Sequence, residues 1–161
     1  KSGGGRIIGE VCHFVDLLTF ITDSRPIKIS AEALSSADTR YRSDDNLQIT
    51  MRFENGSVGS INYVACGSPM MSKEYLEIFG GGVAITMDDF KVFTVADDKG
   101  LKISKRRAQD KGHRNMLEIW SQALINNQPS PIPFEQIVDS TTATFAIIDS
   151  LGGGEAQWIG L

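Results

Sequence analysis

The apolar residues near the start of the chain follow a helical period. Between Ile7 and Ile21, six of them fall within one arc of about 120° if each residue turns the helix by about 100°. Thr22, Asp23 and Ser24 come next, with Pro26 shortly after, and such residues are typical of a helix end. We therefore predict a helix over Ile7–Ile21. Its predicted inward residues are Ile7, Val11, Phe14, Val15, Leu18 and Ile21.

Short segments with a period of two follow this helix. In Leu47–Phe53 every second residue is apolar, which places Leu47, Ile49, Met51 and Phe53 on one buried face. Asn55-Gly56 then predicts a tight hairpin, because both residues tolerate positive φ. Consecutive short turns favour antiparallel pairing. The other predicted strands are Ile27–Leu34, Ser57–Val64, Tyr75–Phe79, Val83–Met87, Lys91–Val95 and Leu101–Ser104.

The last third of the chain returns to helical patterns. A helix is predicted over Met116–Asn126, and a longer one runs from Phe134 to Leu151, where Gly152-Gly153-Gly154 ends it. Gln157–Ile159 can add a short edge strand. Strands in one block with helices at both ends indicate an α+β fold with helices on one face of the sheet. The predicted inward residues are Met116, Ile119, Trp120, Ala123 and Leu124 in the first helix and Ile137, Val138, Thr141, Phe145 and Ile148 in the second.

The length, net charge, apolar runs and cysteines of the chain exclude several classes of protein. The 161 residues suit one domain, which we assign to residues 1–161. A net charge of −4 argues against nucleic acid as a partner. We expect no membrane association, because no apolar run reaches the roughly 18 residues of a span, and a cytoplasmic location. Cys12 and Cys66 fit no metal or redox spacing and are predicted to be free thiols.

Gly3-Gly4-Gly5 stands immediately before the first predicted helix. No strand precedes it, and Ile8 occupies the third glycine position of a dinucleotide fingerprint, so the triplet alone does not predict nucleotide phosphate binding. A helix start can still attract an anion. Because the chain runs from Lys1-Ser2 through this triplet straight into the helix without an initiating Met, we expect it to be a mature fragment or an excised domain.

Titratable side chains line the other arc of the first helix. Glu10 and His13 are three residues apart, as are His13 and Asp16, so neighbouring side chains can touch. A carboxylate beside an imidazole can fix its tautomer and raise its pKa. Leu17 and Phe20 share this arc, which is more typical of a cleft wall than of a solvent face. The alternative is a surface histidine with two carboxylate neighbours.

No metal site is predicted, because the adjacent Cys12 and His13 diverge by about 100° on a helix. His113, the second histidine, lies among Lys111, Gly112 and Arg114 and is interpreted as structural.

Residues 3–18, GGGRIIGEVCHFVDLL, resemble the opening of the second domain of the glucose–fructose oxidoreductase / inositol dehydrogenase / MocA (Gfo/Idh/MocA) family. Glu74–Gly80 with Asp88-Asp89-Phe90 is similar to the family's mid-sheet segment. Pro131–Glu135 is similar to its approach to the final helix. The resemblance spans essentially the whole chain.

This resemblance implies an open, mainly antiparallel (mixed) sheet whose free face mediates homo-oligomer contacts. It implies a sugar or polyol substrate and NAD or NADP, bound mainly by the chain's own Rossmann domain. The family histidine corresponds to His13, as catalytic acid/base or hydroxyl binder. Many members carry an aspartate four residues earlier, where this chain has Gly9. The residues expected to bind substrate are Glu10, Asp16 and Arg6, and those expected to approach the cofactor are Gly4 and Gly5.

Two other functions stay open. The chain can be a non-catalytic module for oligomerisation and domain docking, which the aspartate missing at position 9 favours. Some relatives are glycoside hydrolases that use a nicotinamide-assisted route. In either dehydrogenase or hydrolase, the isolated chain is expected to be inactive.

Overall fold

The computed structural model describes residues 5–35, 40 and 42–160. The chain divides into two compact units. The first combines the residues up to Cys66 with those from Ser130 onward, and the second is Gly67–Pro129. Gly4 lies outside the described residues.

The first unit is a sheet covered by helices. A π-helical turn, Ile7–Val11, leads into helix α1, Cys12–Thr22. The strands are β1 (Pro26–Ala33), β2 (Asn46–Phe53), β3 (Val58–Val64) and β8 (Gln157–Trp158), with a 3-10 turn at Ser43–Asp45 and helix α3 at Phe134–Gly153. The sheet order is β3-β2-β1-β8, and its pairs are antiparallel.

The second unit is a four-stranded antiparallel meander, in the order β4-β5-β6-β7, followed by helix α2. Its elements are β4 (Tyr75–Gly80), β5 (Val83–Asp88), β6 (Val92–Asp97), β7 (Gly100–Lys105) and α2 (His113–Ile125). The α+β class with antiparallel pairing is therefore confirmed. The block of strands that the sequence presents as one forms two sheets among the described residues.

The hydrophobic core belongs to the first unit, between its sheet and its helices. All four predicted inward residues of β2 are buried: Leu47, Ile49, Met51 and Phe53. Ile7, Val11, Val15 and Thr19 are the buried residues of the first helix, at steps of four. In an α-helix each such step overshoots a full turn by about 40°. A π-turn holds more residues per turn, so it keeps Ile7 on the buried face.

The predicted inward face of α3 is wrong. Ile137, Val138, Phe145 and Ile148 are exposed, whereas smaller side chains face the core. Ile147 is the one large side chain buried in this helix with Ser140, Ala143, Thr144, Ala146 and Ser150, which are all small. They let the helix approach β1 closely, which the larger residues would prevent. The predicted large apolar residues of α2, Met116, Ile119, Trp120 and Leu124, are exposed as well.

Two hydrogen-bonded contacts fix α1 and α3 on the sheet. Asn55, in the predicted hairpin turn, donates from Nδ2 to the Thr22 carbonyl at the end of α1, over 2.9 Å. The backbone N–H of Ala31 donates to the buried Ser150 Oγ of α3 over 3.0 Å. The short strand β8 pairs only with Lys28 and Ile29 of β1, so the next backbone groups of β1 need another hydrogen-bond partner. Ser150 is that partner for the Ala31 N–H.

We expect Ser150→Ala to lower the free energy of unfolding by about 1–3 kcal/mol, because a buried amide would lose its acceptor. Urea titration of the 161-residue chain measures this. Ser121→Ala, at an exposed position of α2, is the matched control and should change the free energy by less than about 0.5 kcal/mol. Equal effects of the two substitutions would contradict the role given to Ser150.

Candidate functional site

The candidate site is the outward side of the first helix, which consists of the π-turn and α1 (Ile7–Thr22) and which we call the site helix. Gly5 precedes it with φ of 78°, a left-handed conformation in which glycine is unstrained. A Cβ built on Gly5 or on Gly9 would meet no other atom within 4 Å, so the backbone is open at both positions. Asp23 ends the helix, also in the left-handed region, where the sequence predicts the stop.

His13 and Glu10 are both exposed on this side. Within the described part of the chain, neither side chain makes a hydrogen bond or an ion pair. The predicted contacts of His13 with its two carboxylate neighbours are therefore not formed there. Phe20 lies further along the helix with 73% of its surface exposed, whereas Leu17 is half-buried. Charged and large apolar side chains thus share one open face, as the sequence predicts.

Asp16 is directed towards α3 instead. Its Oδ1 accepts from Ser140 Oγ at 3.3 Å and lies 3.5 Å from Gln136 Nε2. A second contact joins the turn after α1 to α3, with Arg25 Nε 3.0 Å from Asp139 Oδ2. The Asp16 carboxylate therefore ties the site helix to the helix beside it.

Arg6 stands one turn before Glu10 and is held by two other elements. Its Nη1 donates to the Tyr63 hydroxyl of β3 over 3.1 Å, and its Nε lies 3.5 Å from Asp45 Oδ2. The hydrogen bond to Tyr63, together with the negative charge of Asp45, raises the pKa of Arg6 above its ordinary value. The guanidinium is therefore a permanent positive charge at the start of the site helix.

Tyr63 and Asp45 were not singled out in the sequence analysis. A signal for Tyr63 exists, because it shares the helix-facing side of β3 with the buried Ile61. Asp45 lies at the end of a 3-10 turn, and no pattern in the sequence predicts its contact with Arg6.

The Cys12 thiol precedes His13 but is not activated. Partial burial raises its pKa, so it is protonated at neutral pH. Among the residues that the structure describes, no group of three or more metal-binding side chains is present.

A further surface feature belongs to the second unit and not to the residues described so far. A shallow depression beside α2 includes none of them; its lining residues are Arg114, Leu117, Glu118, Ser121 and Gln122. In the same described ranges, no helix is long and apolar enough to cross a membrane.

The family profile described as the GFO/IDH/MocA C-terminal domain matches residues 1–84, which include the site helix and the first four strands. Among curated proteins, none matches the chain significantly.

Solved structures share the fold. An oxidoreductase from Agrobacterium radiobacter, in complex with NAD+, L-tartaric acid and magnesium, is 15% identical with a TM-score of 0.77, covering 92% of this chain and 47% of that one. The myo-inositol 2-dehydrogenase from Lactobacillus plantarum is 14% identical with a TM-score of 0.74, covering 99% and 50%. The scyllo-inositol dehydrogenase from Lactobacillus casei, with NAD(H) and scyllo-inositol, is 16% identical with a TM-score of 0.72, covering 98% and 49%. The chain thus spans about half the length of the structures it matches.

Proposed function

Because the chain belongs to the Gfo/Idh/MocA family, as a C-terminal domain of it, we propose that it forms the substrate side of an NAD(P)-dependent oxidoreductase. Residues 1–161 would be the substrate and oligomerisation domain. The substrate would be a sugar, a polyol or a related hydroxyl or carbonyl compound. The cofactor, NAD or NADP, would be bound mainly by a Rossmann domain that the complete enzyme carries.

The open face of the first helix is the observation on which this proposal depends. It presents the exposed His13 and Glu10 beside the apolar Phe20. Exposed large apolar residues on a helix indicate a surface that another protein layer covers. We propose that this face forms one half of a cleft and that the Rossmann domain supplies the other half. The exposed apolar residues of α3 add to the surface available for that contact.

His13 would act on the reacting hydroxyl. As a base it accepts the hydroxyl proton during oxidation, and as an acid it returns a proton to the carbonyl oxygen during reduction. NAD(P), when bound, supplies the hydride acceptor or donor. We propose Glu10, Asp16 and Arg6 as the residues that bind the substrate's polar groups. Arg6 would do so with the part of its guanidinium that Tyr63 and Asp45 leave open.

The start of the site helix fits a nicotinamide cofactor sterically. The backbone at Gly5 is open, so a flat ring could approach it without displacing a side chain. We propose that Gly4 and Gly5 approach the cofactor there. The Gly9 backbone is open as well, although many relatives carry a carboxylate at that position.

We further propose a cytoplasmic homo-oligomer assembled through open sheet faces. In the first unit this face is polar, which favours a hydrogen-bonded contact; its exposed residues include Ser30, Glu32, Gln48, Thr50, Arg52, Ser60 and Asn62. Sedimentation of the complete enzyme measures the oligomeric state.

The proposal predicts that the 161-residue chain alone does not oxidise inositols or sugars, whereas the same chain joined to its native upstream sequence does. The physical reason is that the isolated chain lacks the domain that would hold the dinucleotide. NADH formation, followed by the absorbance of the reduced nicotinamide, is measured with a panel of polyols and aldoses. Turnover by the isolated chain would contradict the proposal.

A non-catalytic assembly module is the second candidate. The lack of a hydrogen-bond partner for His13 among the described residues favours it, because acid/base histidines are commonly oriented by a carboxylate. In that case this domain would assemble the oligomer without contributing a catalytic group, and replacing His13 would leave the turnover of the complete protein unchanged.

A further inference from the structure

Tyr63 contacts the first helix on both sides of the segment that carries Glu10 and His13. Its hydroxyl accepts from Arg6 over 3.1 Å, before that segment. Its ring meets the ring of Phe14 edge-on, with centroids 6.3 Å apart, immediately after His13. Phe14 is half-buried and packs against the core, so this second contact joins Tyr63 to the fixed part of the helix.

The segment between these two contacts departs from regular α-helical geometry. It contains the π-turn Ile7–Val11, closed by a hydrogen bond from the Cys12 N–H to the Ile7 carbonyl. No side chain caps the start of this turn. Gly9 lies within it, and glycine restricts the backbone least of all residues. Such a turn can relax to an α-helical turn, which would change the direction of Glu10 relative to His13.

We propose that Tyr63 is a positioning residue, which holds the π-turn in place and thereby sets the direction in which Glu10 and His13 face the substrate. Asp45 assists, since its carboxylate holds the same guanidinium at 3.5 Å from Nε. The catalytic consequence rests on the proposed function, whereas the effect on the helix does not.

Tyr63→Phe is the direct test, because it removes the hydroxyl and keeps the ring against Phe14. Tyr75→Phe is the matched control: Tyr75 also has a hydroxyl bonded to a side chain, Glu77 Oε1 at 3.2 Å, but it lies in β4 of the other unit. Amide hydrogen exchange is measured by NMR on the 161-residue chain. In Tyr63→Phe we expect amides 7–13 to exchange about three- to tenfold faster, the loss that one hydrogen bond gives. Unchanged exchange, or the same change in Tyr75→Phe, would overturn the inference.

Kinetics of the complete enzyme test the catalytic consequence. We expect Tyr63→Phe to lower kcat about three- to tenfold and to have no further effect on kcat in a His13→Ala background, since the effect on kcat passes through that histidine, whereas effects through Glu10 and Arg6 change KM. An equal loss in both backgrounds would overturn the positioning role. A complete protein without any dehydrogenase activity would refute the proposed function instead, and the exchange measurement would still decide whether Tyr63 holds the helix.

Discussion

Replacing His13 by alanine in the complete protein is expected to lower the kcat of the proposed dehydrogenase about a hundredfold or more, while the fold is retained. General acid/base catalysis by one side chain contributes about 10²–10⁴-fold. The side chain is exposed and outside the hydrophobic core, so its removal leaves no cavity. Steady-state kinetics with the best polyol from the panel, together with circular dichroism, measure both effects.

The chain offers its own control for this experiment. Its only other histidine, His113, is exposed at the start of α2 in the second unit. His113→Ala makes the same chemical change in the other unit, and its kcat should stay within about twofold of that of the unmodified protein. If His13→Ala turned over as fast as His113→Ala, His13 would have no acid/base role and the assembly module would be favoured.

The largest loss of stability is expected for Phe53→Ala. Phe53 is the last residue of β2, is fully buried, and belongs to the core between the sheet and the helices. Truncating a buried phenylalanine to alanine costs about 3–5 kcal/mol, because the transfer free energy is lost and a cavity remains. Urea unfolding of the 161-residue chain, followed by circular dichroism, gives the free energy.

Phe20→Ala is the matched substitution at the surface of the same unit. Phe20 is 73% exposed, so its removal from the isolated chain should change the free energy of unfolding by less than about 0.5 kcal/mol. Comparable losses for both phenylalanines would mean that the core is not where the structure places it.

The sequence predicts the buried face of an element well where its apolar residues all lie on one side. β2 alternates strictly, so a single face could be buried, and its four apolar residues are buried. In α3 apolar residues occur on more than one side. The helical period tells which residues share a face but not which face is inside, and the prediction chose the large side chains. Close packing on β1 favours the small ones, such as Ala143 and Ser150.

The division into two sheets was also beyond the sequence. Tight turns such as Asn55-Gly56 predict which consecutive strands pair, and those pairs are present. They carry no information on whether strands separated by a longer connection belong to one sheet. The stretch between β3 and β4 has no tight-turn signal of this kind.

For the candidate site, the sequence predicts the features that depend only on residues close together along the chain. The exposure of Glu10 and His13 follows from their place on the helix. The partner of Asp16 does not, because Ser140 lies 124 residues further along the chain. The contact of Arg6 with Tyr63 spans 57 residues, so no local pattern predicts it. The π-turn is not predicted either, because the helical pattern assumes 100° per residue.

The first unit is discontinuous, and this has a consequence for biosynthesis. A ribosome releases α1 and the first three strands early, then the whole second unit, and only afterwards α3. Until α3 emerges, Ala31 lacks its Ser150 acceptor, and the strands cannot complete their interior with Ala143 and Ile147. The first unit therefore cannot complete its core until α3 has been translated, although the whole second unit has been translated before it. During this time its apolar core residues are accessible to chaperones.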